Sequence, residues 1–178
     1  MRGTVLELGP GHGGNLRFYH PDVRLIAVEP RPGARDSTAA AAGRLGLSAQ
    51  VRDGRAEDLA LPDGSVDAVV CSFVLCSVAD QDAALAEAHR VLRPGGRFLF
   101  AEHVAAPRGT WVRRGQNLVA AFAGARCHPN RETGPAIDRA GFHVVDLHRF
   151  DHPGPLGARI PHIAGAAERR CDLEGHLP

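Results

Sequence analysis

A chain of 178 residues, 44% of them apolar, is long enough for one domain with a full-sized core. Its formal net charge of +1 gives no basic footprint for nucleic acid or an anionic membrane surface. All 21 Lys-plus-Arg positions are arginine, which excludes mechanisms built on a catalytic lysine.

Residues 4–15 read Thr-Val-Leu-Glu-Leu-Gly-Pro-Gly-His-Gly-Gly-Asn, an apolar β run that breaks into a glycine turn. Val5, Leu6 and Leu8 suit a strand over 4–8 buried on both faces, as in a parallel sheet. Gly9, Gly11 and Gly13 or Gly14 let the backbone turn sharply and approach a ligand with no Cβ in the way. A helix near 14–19 is expected next, with its free N–H groups facing that ligand. Strand two, at 24–28, ends in Glu29, twenty positions beyond Gly9. A carboxylate there accepts hydrogen bonds from both hydroxyls of a ribose, the alternative being a solvated strand-end acid. Strand, turn, helix, strand and acid read as a site for an adenosine-containing ligand.

Pro30 and Pro32 stiffen the following turn, and the Ala-rich stretch 34–45 is expected to be helical, ended by Gly46. A short third strand at 49–52 precedes the loop Asp53-Gly-Arg-Ala-Glu-Asp-Leu59. Strand four, 66–72, is a continuous apolar run broken only by Asp67. Acids at Asp80 and Asp82 open a helix with Ala84, Leu85, Ala88, Val91 and Leu92 at helical spacing, stopped by Pro94-Gly-Gly. Strand five is expected at 97–102, and helices at 111–123 and 132–140. Strands six (142–150) and seven (about 159–167) are expected to be antiparallel. The chain divides into one domain over 1–170 and a poorly ordered tail over 171–178.

The four cysteines, Cys71, Cys76, Cys127 and Cys171, form no C-x-x-C pair and no zinc spacing, so no metal site is expected. The ten histidines are scattered, which favours packing or solvated roles. With no signal peptide and no apolar run approaching a membrane span, a reduced cytoplasm is the expected setting. Nothing in the chain specifies an oligomer.

Residues 89–102, His-Arg-Val-Leu-Arg-Pro-Gly-Gly-Arg-Phe-Leu-Phe-Ala-Glu, combine a helix end, a Pro-Gly-Gly turn and a buried strand. With Glu7-x-Gly9-x-Gly11-x-Gly13 and Asp63-Gly-Ser-Val-Asp67, the chain resembles class I S-adenosylmethionine-dependent methyltransferases from about residue 4 to 168. Asp67-Ala-Val-Val-Cys-Ser-Phe-Val-Leu-Cys-Ser-Val78, Phe100-Ala-Glu-His-Val-Ala105 and Arg159-Ile-Pro-His-Ile-Ala-Gly165 resemble the alkyl thiol methyltransferases within that group, although the apolar N-terminal segment of the microsomal members is not in this chain. The resemblance implies a Rossmann-like α/β sandwich whose seven-stranded sheet is mostly parallel with an antiparallel last strand. Family members carry several tens of residues of lid helices before strand one. This chain starts three residues ahead of that strand and is expected to lack them.

The same resemblance implies S-adenosylmethionine as cofactor and assigns its contacts. Gly9, Pro10, Gly11 and Gly13 would meet the methionine portion, with Glu7 near the amino group. Glu7 is otherwise read as a buried carboxylate bonded to loop N–H groups. Glu29 would hold the ribose, Pro30 would lie against the adenine, and Ala56 and Glu57 would hold its edge. Many relatives have Gly-Asp-Ala where this chain has Gly54-Arg55-Ala56, which leaves Glu57 or Asp58 as the side-chain contact. Cys71, Ser72 and Phe73 would border the sulfonium methyl, although Cys71 and Cys76 also read as small buried hydrophobes. Glu102 and His103, ending strand five over the crevice, are the candidate catalytic residues, with His162 a further candidate. The absence of an Asn/Asp-Pro-Pro-Tyr/Phe motif argues against methylation of nucleic-acid bases, and the absence of lysine excludes the Lys-Asp-Lys-Glu ribose methyltransferases. The expected reaction is in-line methyl transfer to a small-molecule acceptor, a thiol by preference and a phenolic or other hydroxyl compound next. Two rivals are a non-catalytic adenosyl-binding domain without its lid and an NAD(P)-dependent oxidoreductase using the Gly9/Gly11/Gly14 spacing. The second leaves Arg90-Val-Leu-Arg-Pro-Gly-Gly96 unexplained.

Overall fold

The computed structural model describes residues 2–122 and 127–170; the expected tail, and the end of the helix expected over 111–123, lie outside the described residues. In chain order the elements are β1 (Gly3–Leu8), β2 (Val23–Val28), α1 (Pro32–Leu45), β3 (Ser48–Arg52), β4 (Val66–Ser72), α2 (Gln81–Val91), β5 (Leu92–His103), α3 (Trp111–Phe122), α4 (Thr133–Arg139), β6 (Phe142–Pro153) and β7 (Arg159–Arg169). The strands form one sheet in the order β3-β2-β1-β4-β5-β7-β6. The first five pair in parallel, and β7 runs antiparallel between β5 and β6.

Both faces of the sheet are covered, which is why its central strands can be apolar without alternation. One face sets Leu6, Leu8, Val69, Cys71, Phe98 and Phe100 against Ala84, Leu85, Ala88 and Val91 of α2 and Ala136 and Ile137 of α4. The other sets Val5, Leu25, Ala27, Ala68 and Val70 against Ala41 and Ala42 of α1. Successive residues of β1 and β4 thus serve opposite cores, as the two-residue period of a strand requires. Asp80 caps α2, its carboxylate accepting from the Asp82 and Ala83 amides at 3.0 Å each.

Several boundaries differ from expectation. The helix expected near 14–19 is a single 3-10 turn, Leu16–Phe18, followed by extended Tyr19 (φ −81°, ψ 142°). Glycines at its start and Pro21 beyond it leave too few residues for an α-helical nucleus. Strand five begins at Leu92, which already pairs with Val66, and the Pro-Gly-Gly turn sits inside a register shift before Arg97 pairs with Ala68. Strand six extends to Pro153.

Gly165 of β7 lies where the β6 register shifts between Val144 and Asp146. A Cβ added there would run into the Asp146 carbonyl oxygen and stand 3.0 Å from Phe100 Cζ. Backbone on one side and a core ring on the other leave no easy relief. Gly165→Val is therefore expected to cost about 1–3 kcal/mol in urea denaturation; an unchanged midpoint would contradict this packing.

Candidate functional site

The chain leaves β1 toward β2 and β3 on one side of the sheet, while β4 leads to β5 on the other. Loops leaving β1 and β4 therefore part at the centre, and such a switch point opens a crevice at the carboxyl ends of the strands. A cleft of about 420 Å³ lies there, bordered by Gly9, Glu29, Pro30, Ala56 and Glu57 from the expected set. Its opposite wall is Phe73, Val74, Ser77, Val78 and Ala79, from the loop after β4. Gly9 has φ +56°, and a Cβ on it would stand 2.6 Å from Val74 Cγ2, so only glycine lets the two walls approach this closely.

Glu29 is 1% exposed, yet its carboxylate is fully partnered. Oε1 accepts from the Arg31 amide at 3.0 Å and Arg31 Nε at 2.9 Å, and Oε2 accepts from the Gly11 amide at 3.1 Å. Burial alone would raise its pKa, but these bonds and the Arg31 charge outweigh it and hold the group below the ordinary carboxylate range. Glu7 has the opposite balance. It is 1% exposed, Oε1 accepts from Asn15 Nδ2 at 2.9 Å, and Oε2 has no hydrogen-bond partner. Burial raises its pKa, opposed by Asn15 and by the nearby Tyr19 hydroxyl.

Pro10, Gly11 and Gly13 shape the turn behind the cleft and do not line it. Gly13 donates to the Pro10 carbonyl at 2.9 Å, and the Gly11 carbonyl accepts from Thr38 Oγ1 at 2.9 Å. Glu57 borders the cleft but is already engaged, Oε1 accepting from the Ala79 amide at 2.7 Å and Arg55 Nη2 at 3.3 Å. Its pKa is lowered, the raising effect of burial being outweighed by its own amide, Ala79 and Arg55. Asp58 is exposed and stands outside the cleft lining.

Three expected residues at the ends of β4 and β5 sit differently from their expected roles. Glu102 is wholly buried: Oε1 accepts from the Val74 amide at 2.9 Å, the Leu75 amide at 3.0 Å and Cys71 Sγ at 3.4 Å. Burial pushes its pKa up to about 7 against those bonds. It is an anchor for the loop after β4 and does not face the crevice. Cys71 is fully buried with its thiol on Glu102, and burial plus that carboxylate raise its pKa well above normal. Ser72 is half-buried outside the cleft lining.

His103 lines neither the cleft nor a larger cavity nearby but packs against a residue of each. Its ring packs on Phe73 (5.0 Å between centroids) and His162 (4.6 Å), and burial, then the neighbouring His162 and His152, lower its pKa. A second cavity of about 930 Å³ opens beside His162, between the segment after β5 and the β6–β7 pair. Phe73 belongs to the cleft wall and touches both histidines, so its ring joins the two spaces. Phe73 holds φ +56°, uncommon for a bulky residue and typical of strain kept at functional sites.

The match to known proteins decides what class of site this is. Residues 6–100, just over half of the chain, match the family described as "Methyltransferase domain". The chain belongs to the methyltransferase-domain family. Over 172 residues it is 37% identical to human thiol S-methyltransferase TMT1A, covering 92% of this chain and 70% of that protein. Human thiol S-methyltransferase TMT1B is 38% identical at the same coverage. The fold is shared with a SAM-dependent methyltransferase from Methanosarcina mazei (TM-score 0.75, 17% identity, 95% of this chain and 93% of that one). It is also shared with geranyl diphosphate C-methyltransferase from Streptomyces coelicolor (TM-score 0.73, 19% identity, 93% and 70%). Membership sets aside the nicotinamide oxidoreductase reading.

In this methyltransferase, Phe73 lines the cleft wall as its place at the end of strand four implied, and the wall residues that sequence reading missed are Arg31, Val74 and Ser77–Ala79. For Val74 and Ser77–Ala79 the signal was topological, a loop following the second central strand; Arg31 follows β2, beside Glu29. Arg113 of α3 is tucked in, with Nη1 donating to the Ala106 carbonyl at 3.3 Å.

If Glu102 anchors that loop, Glu102→Ala strands two loop amides and should cost about 2–4 kcal/mol of stability. Thermal unfolding tests this directly. A variant of native stability that had lost only turnover would return Glu102 to the chemistry.

Proposed function

We propose that this protein transfers the methyl group of S-adenosylmethionine to the sulfur of a small thiol. The donor site rests on one observation above all: a buried Glu29, its pKa held below the ordinary carboxylate range, lines the switch-point cleft. S-adenosylmethionine is the methyl donor of the family, and its chemistry is a sulfonium-activated methyl group. The residues present fit it. Glu29 can exchange its contact with the exposed Arg31 guanidinium for ribose hydroxyls, Pro30 and Ala56 offer apolar surface to adenine, and Glu7 has a buried Oε2 with no partner, suited to an ammonium group.

The chain's own part in the reaction is placement. The acceptor enters from the larger cavity, past Phe150 and His162, and meets the cleft at Phe73. The acceptor's sulfur attacks the methyl carbon in line, a carbon–sulfur bond forms, and the bond to the departing sulfur breaks with its electron pair. Alignment of three atoms supplies most of what such a step needs. The preference for sulfur is supported by the likeness to TMT1A and TMT1B and by the ease with which thiols ionise near neutral pH. A small-molecule acceptor, with neither nucleic acid nor a membrane surface as partner, accords with the near-zero net charge.

Calorimetric titration with S-adenosylhomocysteine, with NADH in parallel, is the primary test: binding of the first alone is expected, followed by methylation of small thiols in preference to phenols. Glu29→Ala should weaken S-adenosylhomocysteine by about 1–3 kcal/mol; equal affinity in a folded variant rejects the ribose assignment.

A cationic amino group held against Glu7 favours its ionised form. Because burial raises that carboxyl's pKa, S-adenosylhomocysteine affinity should climb as pH rises through the range just above ordinary carboxylates. Glu7→Gln should flatten the climb. An affinity that falls with pH over that range would place the ammonium elsewhere.

A further inference from the structure

Three metal-ligating side chains from separate stretches converge beside the cleft. Cys76 Sγ from the loop after β4, a ring nitrogen of His103 at the end of β5 and Cys127 Sγ from the segment ahead of α4 lie within 4.8 Å of one another. Among the described residues no other group of three His, Cys, Asp or Glu is so placed. Tetrahedral zinc binds thiolate at about 2.3 Å and imidazole at about 2.0–2.1 Å, which sets such donors about 3.5–3.8 Å apart. A contraction of about 1.0–1.3 Å at most therefore closes the triangle around an ion.

Two further features support an ion there. The backbone already ties the two thiols together, since the His128 amide donates to the Cys76 carbonyl at 2.6 Å. His103 Nδ1 is buried with no hydrogen-bond partner, a state that proteins rarely leave uncompensated. Two cysteines and one histidine are soft-to-borderline donors, which favour zinc over magnesium or calcium. Three protein ligands also leave a fourth position, as catalytic zinc sites do.

We propose that Cys76, His103 and Cys127 bind one zinc ion whose fourth position takes the sulfur of the acceptor thiol. The fourth-ligand half rests on the thiol reading above; the ion site does not. The location suits the role, because His103 packs on Phe73 and Cys76 adjoins Ser77, both cleft-wall residues. On coordination the acceptor's S–H proton leaves to solvent and the sulfur is held as thiolate. Its lone pair then forms the new S–CH3 bond as the sulfonium carbon–sulfur bond breaks, so no oxidant or reductant is consumed.

The full chain, kept reduced with a phosphine and loaded with zinc, should retain about one ion after desalting. The double variant C76S/C127S, checked for folding by circular dichroism, should retain none. Cobalt substitution of the unaltered chain provides a test independent of mutant folding. It should give tetrahedral ligand-field bands and a thiolate-to-metal charge-transfer band, both shifted by added 2-mercaptoethanol. Absence of the charge-transfer band, metal retention unchanged in the double variant, or a Cys76–Cys127 disulfide formed in place of metal binding would overturn the site. A cobalt spectrum unmoved by thiol would overturn the fourth ligand. Thiol methylation undiminished by complete metal removal would overturn the role of the ion and leave the thiol reading standing. Metal bound as expected, with phenols methylated and thiols not, would instead sink the thiol reading and with it the fourth ligand.

Discussion

The hydrogen bonds that Glu102 accepts from the Val74 and Leu75 amides fix the loop after β4, and that loop supplies most of what makes this fold a site. It carries one whole wall of the cleft, the strained Phe73 that joins the cleft to the larger cavity, and Cys76. A carboxylate with one oxygen accepting two amides and a thiol, and the other oxygen unpartnered, is an expensive anchor inside a core. Its raised pKa, about 7, expresses that cost. The return is a loop held in one conformation at the place where the two halves of the sheet diverge.

Three buried glutamates stand around the crevice, and their partners set three different behaviours. Glu29 gathers two amides and a guanidinium and stays ionised. Glu102 gathers two amides and a thiol, and burial wins. Glu7 accepts from Asn15, with the Tyr19 hydroxyl nearby, and is also raised. The difference lies in the number and charge of the donors, since all three are almost fully shielded from water. The one kept ionised opens on the cleft; the one at the base of the turn keeps an unpartnered oxygen.

The two cavities divide the labour of a transfer reaction. The cleft at the switch point is lined by backbone turns and two acids whose pKa values are lowered, Glu29 and Glu57, which suits a nucleoside. The larger space, between the segment after β5 and the β6–β7 pair, is walled by Val104, Pro161, Ile163 and Phe150, with His162 among them. The same lining carries Arg108, Arg113, Arg149 and Arg159 with the acids Glu132 and Asp151, so the space offers an acceptor both apolar surface and charged groups. Because Phe73 contacts both spaces, a change at that ring would be felt by donor and acceptor alike.

Local sequence determined the sheet's central strands, the glycine turn, and the acid at the end of β2. These follow from short-range rules: an apolar run without alternation must be buried on both faces, and a turn that meets another wall must be glycine. Hence Gly9 and Glu29 were legible from the residues themselves, while Pro30, Ala56 and Glu57 came from the family resemblance; all five border one cleft. Tertiary structure decided everything that depends on which distant segment arrives. Glu102 reads as a crevice acid at a strand end, but burial beneath the loop it binds makes it an anchor. Cys76 and Cys127 are 51 positions apart with no spacing signature, yet the return of the chain ahead of α4 sets both thiols against His103. Spacing reveals partners only when they share a turn or a helix face; convergence of three separate segments is a property of the packed sheet and its crossovers.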